Sequence, residues 1–103
     1  MTTRCSLKIG GKVLEREIEK KVCSYAKSLG VMNIKQQGTM GVPDRLFLYK
    51  GKCMFIEFKR KGGKTRPTQV AYINKLTLQG VHTVVVDNVV TGKEYIDNFI
   101  KGE

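Results

Sequence analysis

Apolar positions recur every three or four residues along the first third of the chain. Leu14, Ile18, Val22, Ala26 and Leu29 form one stripe, which predicts a helix over 14–29 with Gly30 as its stop. The pattern then tightens to that of strands. Asn33–Gln37 reads as a short strand, Gly38–Pro43 as a loop, and Arg45–Tyr49 and Lys52–Lys59 as two strands joined by a turn at Lys50-Gly51. Lys61-Gly62-Gly63-Lys64 reads as a flexible basic loop. Pro67–Gln79 is a second helix, with Val70, Ile73 and Leu76 or Thr77 facing inward and Gly80 after its end. His82–Asp87 is an apolar strand. Thr91-Gly92-Lys93-Glu94 matches a capping box and opens a last helix carrying Tyr95, Ile96, Phe99 and Ile100. Ahead of the first helix, Ser6–Ile9 with Gly10-Gly11 suggests a short strand and turn. The order is that of a small α/β fold with a mixed sheet flanked by helices, a single domain over 1–103.

Composition adds a partner class. Lys and Arg number 19 against 9 Asp and Glu, a formal net charge of +10. Such a balance favours a polyanion. No apolar run approaches the length of a membrane span, and the first residues lack the apolar core of a signal peptide, so a cytoplasmic location is expected. The three cysteines, Cys5, Cys23 and Cys53, are odd in number and form no C-x-x-C unit, which argues against a disulfide framework and against zinc. Cys23 and Cys53 read as small core residues, and Cys5 carries no signal. His82 is the sole histidine and reads as structural.

The hairpin register carries the chemistry. With Lys50-Gly51 as a two-residue turn, Tyr49 pairs with Lys52 and Asp44 falls opposite Glu57. Glu57 and Lys59 share one face, and Asp44 joins them. A three-residue turn would instead set Asp44 opposite Phe58. Opposed carboxylates are unfavourable in a plain sheet, and a cation between them reverses the sign. Hard oxygen ligands select Mg²⁺ or Mn²⁺, with the Phe58 carbonyl as a further ligand. Lys59 would position water and stabilise charge developing on phosphorus. Glu15 and Glu19 lie four apart at the edge of the buried helix face, where they either reach the sheet or form a solvated flank with Lys20 and Lys21.

The segment Gly41-Val42-Pro43-Asp44, a hairpin, then Ile56-Glu57-Phe58-Lys59 resembles the PD-(D/E)xK nuclease superfamily, and more narrowly the stand-alone VRR-NUC domain of phages and bacteria. Glu15–Glu19, Thr65–Gln69 and Gly80–Asp87 extend the resemblance over nearly the whole chain, about 14–100. It implies a restriction-endonuclease-like fold and a metal-dependent DNA endonuclease with no organic cofactor. Asp44 and Glu57 would ligate metal, Lys59 would be the catalytic lysine, and Gln69 would complete the site. Glu19 best fits the helix-one glutamate, with Glu15 as the alternative. The resemblance further implies a homodimer cutting four-way junctions in recombination or repair. The apolar residues of the last helix are either its interface or core. Lys35, Arg45, Lys50, Lys52, Arg60, Lys61, Lys64 and Arg66 flank the site in sequence as phosphate contacts. The rival expectations are the same chemistry on flap, nicked or duplex DNA, and a basic DNA-binding module that does not cut.

Overall fold

The computed structural model describes residues 8–9 and 12–102. The expected strand and turn at Ser6, Leu7, Gly10 and Gly11, and Cys5 with them, lie outside the described residues. Two short strands, β1 (Lys8–Ile9) and β2 (Lys12–Val13), pair antiparallel ahead of helix α1 (Glu15–Ser28). Strands β3 (Met32–Lys35), β4 (Arg45–Tyr49) and β5 (Lys52–Phe58) follow, then α2 (Pro67–Leu78), β6 (His82–Val86) and α3 (Val89–Lys101). The main sheet has the order β3-β4-β5-β6, antiparallel except for the parallel β5–β6 pair that α2 bridges. It is the small mixed α/β architecture expected.

Alternation divides the sheet into two faces. Phe47, Met54, Ile56, Phe58, Val84 and Val86 point one way into the core, where Ile18, Val22 and Ala26 of α1 and Ile96 and Phe99 of α3 meet them. Gly92 lets the two helices close. A Cβ there would lie 2.5 Å from Val22 Cγ2 and 3.1 Å from Val86 Cγ1. Tyr25 Oη also ties α1 to α3, donating to Asp97 Oδ1 at 2.6 Å. The opposite face, bearing Glu57, is approached by α2, which buries none of its residues.

Several expectations are corrected. Val70 is 44 % exposed rather than inward, because α2 lies against the sheet margin. Leu29 ends the helical stripe but is 40 % exposed. Cys53 is exposed and Cys23 only half-buried, so Cys53 is no core residue. Helix α3 begins at Val89, not at Thr91. Its cap is Asn88, whose Oδ1 accepts from Thr91 N–H at 2.8 Å, and Gly92 is a packing residue. Ile96 and Phe99 are spent in the molecule's own core, which removes them from a surface on the last helix. Among the described residues no helix is long and apolar enough to cross a membrane.

Candidate active site

The turn at Lys50-Gly51 sets the geometry. Both residues have positive φ, 46° and 82°, the requirement of a type I′ hairpin turn. Tyr49 pairs with Lys52 and Arg45 with Ile56. The next rung opposes Asp44 and Glu57, as the two-residue turn predicts. Side chains replace the ladder there. Asp44 N–H donates to Glu57 Oε1 at 3.1 Å, and Phe58 N–H donates to Asp44 Oδ2 at 2.8 Å. On the other edge Gln36 N–H donates to Asp44 O at 2.9 Å, carrying β3 pairing one residue past β4.

Lys59 and Gln69 close the cluster. Lys59 is 9 % exposed, not a solvent-pointing strand end, and its Nζ donates to Gln69 Oε1 at 2.8 Å and lies 3.2 Å from Glu57 Oε2. Gln69 Nε2 donates to Glu57 Oε2 at 2.5 Å. Gln69 Oε1 also accepts from Arg66 N–H at 3.0 Å, which satisfies an orphan donor at the start of α2 and fixes the amide. Gly41 brings the preceding loop onto that same helical turn. Its φ is +85°, and a Cβ would sit 2.7 Å from Thr68 O. Pro43, fully buried, then delivers Asp44.

Glu19 is not part of this cluster. It is buried, and its Oε2 accepts from Arg45 Nε at 2.6 Å and Lys35 Nζ at 3.0 Å. Arg45 Nη1 also donates to Asn33 Oδ1 at 2.9 Å. Lys35 and Arg45 are direct cross-strand partners, two like charges that need the anion between them. Burial pushes the Glu19 carboxyl up, but the Arg45 and Lys35 hydrogen bonds outweigh it and hold the group below the usual carboxylate range. Asn33 carries no signal in the sequence, since its role arises only through the strand pairing. Glu15, one turn earlier, behaves differently. Partial burial and then the negative charge of Asp44 raise its pKa, while Lys59 pulls it down, so Glu15 lies within the field of the cluster.

The basic residues divide too. Arg60, Lys61, Lys64 and Arg66 are exposed on the loop entering α2. Lys35 and Arg45 are engaged by Glu19. Lys52 lies at the far end of β5, its Nζ bonded to Phe99 O at 2.6 Å and Ile100 O at 3.3 Å, where it satisfies the last carbonyls of α3 rather than a phosphate beside the site. Cys23 is no nucleophile, since burial pushes its thiol up to about 11.

Glu57 is 2 % exposed, and burial followed by the adjacent Asp44 charge raises its pKa. A raised carboxylate beside a second one is a site short of positive charge, and its donors are hard oxygens, which suits a divalent ion. Among the described residues no group of three His, Cys, Asp and Glu side chains stands ready around one metal. Two carboxylates alone would leave a bound divalent ion with several of its waters.

No family model matches the sequence. A phage protein, "Putative nuclease p44" of Acyrthosiphon pisum secondary endosymbiont phage 1, is 35% identical over 79 residues, spanning 74% of this chain and 85% of the relative. A solved structure described as a VRR_NUC domain superposes with a TM-score of 0.72 at 24% identity, covering 82% of this chain and 96% of the other. The chain therefore belongs to the same nuclease family as this phage protein, and its fold is that of a VRR-NUC domain.

Proposed function

We propose that the protein is a Mg²⁺- or Mn²⁺-dependent, structure-selective DNA endonuclease that resolves four-way junctions as a homodimer. One observation carries the reading: two opposed carboxylates, Asp44 and Glu57, closed on one side by Lys59 and Gln69. Asp44, Glu57 and the Phe58 carbonyl would hold the ion, which when bound supplies a Lewis acid for the scissile phosphate and its attacking water. Lys59 lies where its ammonium can hold that water and offset charge on the phosphate oxygens. Gln69 keeps Lys59 and Glu57 in register with each other. Glu15, in the field of Asp44 and Lys59, is the helix carboxylate that reaches this site. Glu19 serves it indirectly by neutralising Lys35 and Arg45 beside Asp44. Arg60, Lys61, Lys64 and Arg66 contact phosphates and set the DNA in place without reading its bases.

A junction requires two cuts related by symmetry, and a two-fold dimer supplies two sites. Met32, 60 % exposed, and Ile34, 39 % exposed, lie on edge strand β3 and offer an apolar surface for a second copy. The test is cleavage of labelled junction, flap and duplex DNA with Mg²⁺ or with EDTA, beside Asp44→Ala and Lys59→Ala. The proposal expects Mg²⁺-dependent cuts, most rapid on the junction, that both substitutions abolish. Binding without cleavage would instead make the chain a DNA-binding module, and equal cleavage by both variants would refute the site.

A further inference from the structure

Met40 is 82 % exposed, and it directly precedes Gly41, which packs on Thr68 beside Gln69. Isolated apolar side chains on a surface are ordinary and need no explanation. Met40 differs in how it is presented. It occupies the apex of the turn Thr39–Val42, closed by Val42 N–H donating to Thr39 O at 3.3 Å. Gly41, at φ +85°, supplies the left-handed residue such a turn needs in its third position. The same glycine lies so close to α2 that a Cβ would stand 2.7 Å from Thr68 O and 3.5 Å from Tyr72 Cβ. Pro43, fully buried, pins the other side. An apolar side chain is thus held out to solvent on a braced turn, against the first turn of α2 that also carries Gln69.

Met40 lies four positions before Asp44, a reach of at most about 14 Å. That span is about four base steps of a nucleic acid lying over the site. The loop entering α2 presents Arg60, Lys61, Lys64 and Arg66, all exposed, so the ligand passing this turn is a phosphate backbone with its bases.

Resting on the DNA-endonuclease reading, we propose that Met40 is a wedge that inserts between bases within about four steps of the scissile phosphate. An unbranched thioether adapts to the gap between two bases, and methionine is among the apolar side chains that open base steps in this way. Opening a step costs a few kcal/mol in continuous duplex and less where stacking is already interrupted. The wedge therefore favours DNA at a branch point over uniform duplex, and it supplies structure selectivity that a row of phosphate contacts lacks.

The experiment places 2-aminopurine, one position at a time, within four nucleotides of the mapped cut in a four-way junction. Protein is bound with Ca²⁺ in place of Mg²⁺, and cleavage in Mg²⁺ is followed in parallel. Wild type raises the fluorescence at one or two positions. Met40→Ala abolishes the rise, Met40→Leu keeps it, and neither changes the melting temperature. In Met40→Ala the ratio of kcat/KM for junction over linear duplex falls roughly tenfold. Junction cleavage by wild type with no fluorescence rise at any position overturns the wedge and leaves the nuclease reading standing. A full rise with Met40→Ala overturns it likewise. Absence of cleavage on every DNA overturns the nuclease reading, and the wedge with it.

Discussion

At the scale of single residues the site is a problem of like charges. Asp44 and Glu57 repel across one rung, and burial first, then the Asp44 charge, raises the pKa of Glu57. Its sign is opposite to that of a salt-bridged carboxylate. Proton binding is favoured in the fold, so the pair's cost is fully present above the raised value and disappears as pH falls through it toward 4.5. Asp44→Asn keeps an acceptor for Phe58 N–H while removing the charge. It should raise the metal-free melting temperature by about 2–4 °C at pH 7 and by nothing near pH 4, as scanning calorimetry would register. Glu19 has the reverse sign. Its lowered pKa means that its contribution is present at neutral pH and is lost as pH drops below 4.5 through the native value. Glu19→Gln should cost about 1–3 kcal/mol at pH 7 in denaturant melts, since it leaves Lys35 and Arg45 facing each other. Glu15→Gln should leave stability the same or slightly higher at pH 7, since its own pKa is raised, and should weaken Mn²⁺ binding by calorimetric titration. The reverse pattern would make Glu19 the ligand. The opposed carboxylates were legible in sequence because a two-residue turn fixes pairing by arithmetic. The choice between Glu15 and Glu19 was not, because both sit on one helix flank and only their partners on β3 and β4 separate them.

Among the elements, two glycines decide how layers meet. Gly92 is the contact point of α1, α3 and β6. Gly92→Ala overpacks Val22 and Val86 and should cost about 1–3 kcal/mol, lowering the thermal midpoint by several degrees. The motif reading gave Gly92 a place in a capping box. Asn88 held a better one, since its short side chain can reach back to Thr91 N–H while a helix start at Thr91 would forfeit a turn of packing. Gly41→Ala is a different substitution. It strains a left-handed position and drives a methyl into Thr68 O, so the loop must lift from α2. Cleavage should fall at least tenfold while the midpoint moves less than for Gly92→Ala, because the loss is alignment of Asp44 against Gln69. Helix α2 shows where periodicity misleads. Val70, Ile73 and Leu76 predict an inward face, yet α2 lies over the sheet margin and only half-buries the last two. Its leading turn serves the site more than the core.

For the molecule as a whole, charge and symmetry set the expectations. If Arg60, Lys61, Lys64 and Arg66 are the phosphate contacts, log–log plots of DNA affinity against KCl should have a slope of about −4 per protomer. Replacing Lys61 and Lys64 together by Ala should lower that slope by about two without altering preference among sequences. Light scattering with and without junction DNA should give the mass of two chains, and a single-chain mass in both would remove the paired-cut argument. The overall architecture was readable because each strand and helix carries its own period. The proposed partner surface was not, since Met32 and Ile34 look like any strand residues until the sheet order of the described residues leaves β3 at an edge. The hairpin has one more consequence. Its type I′ turn lies at the far end of β4 and β5 from Asp44 and Glu57, yet counting from that turn determines which residues meet. Evolution or engineering can therefore trim the hairpin tip by two matched pairs, Leu48 with Cys53 and Phe47 with Met54, and leave the Asp44–Glu57 rung aligned. Removing one residue from a single strand would turn a carboxylate to the wrong side of the sheet. Relatives of this chain should vary in hairpin length by multiples of four residues.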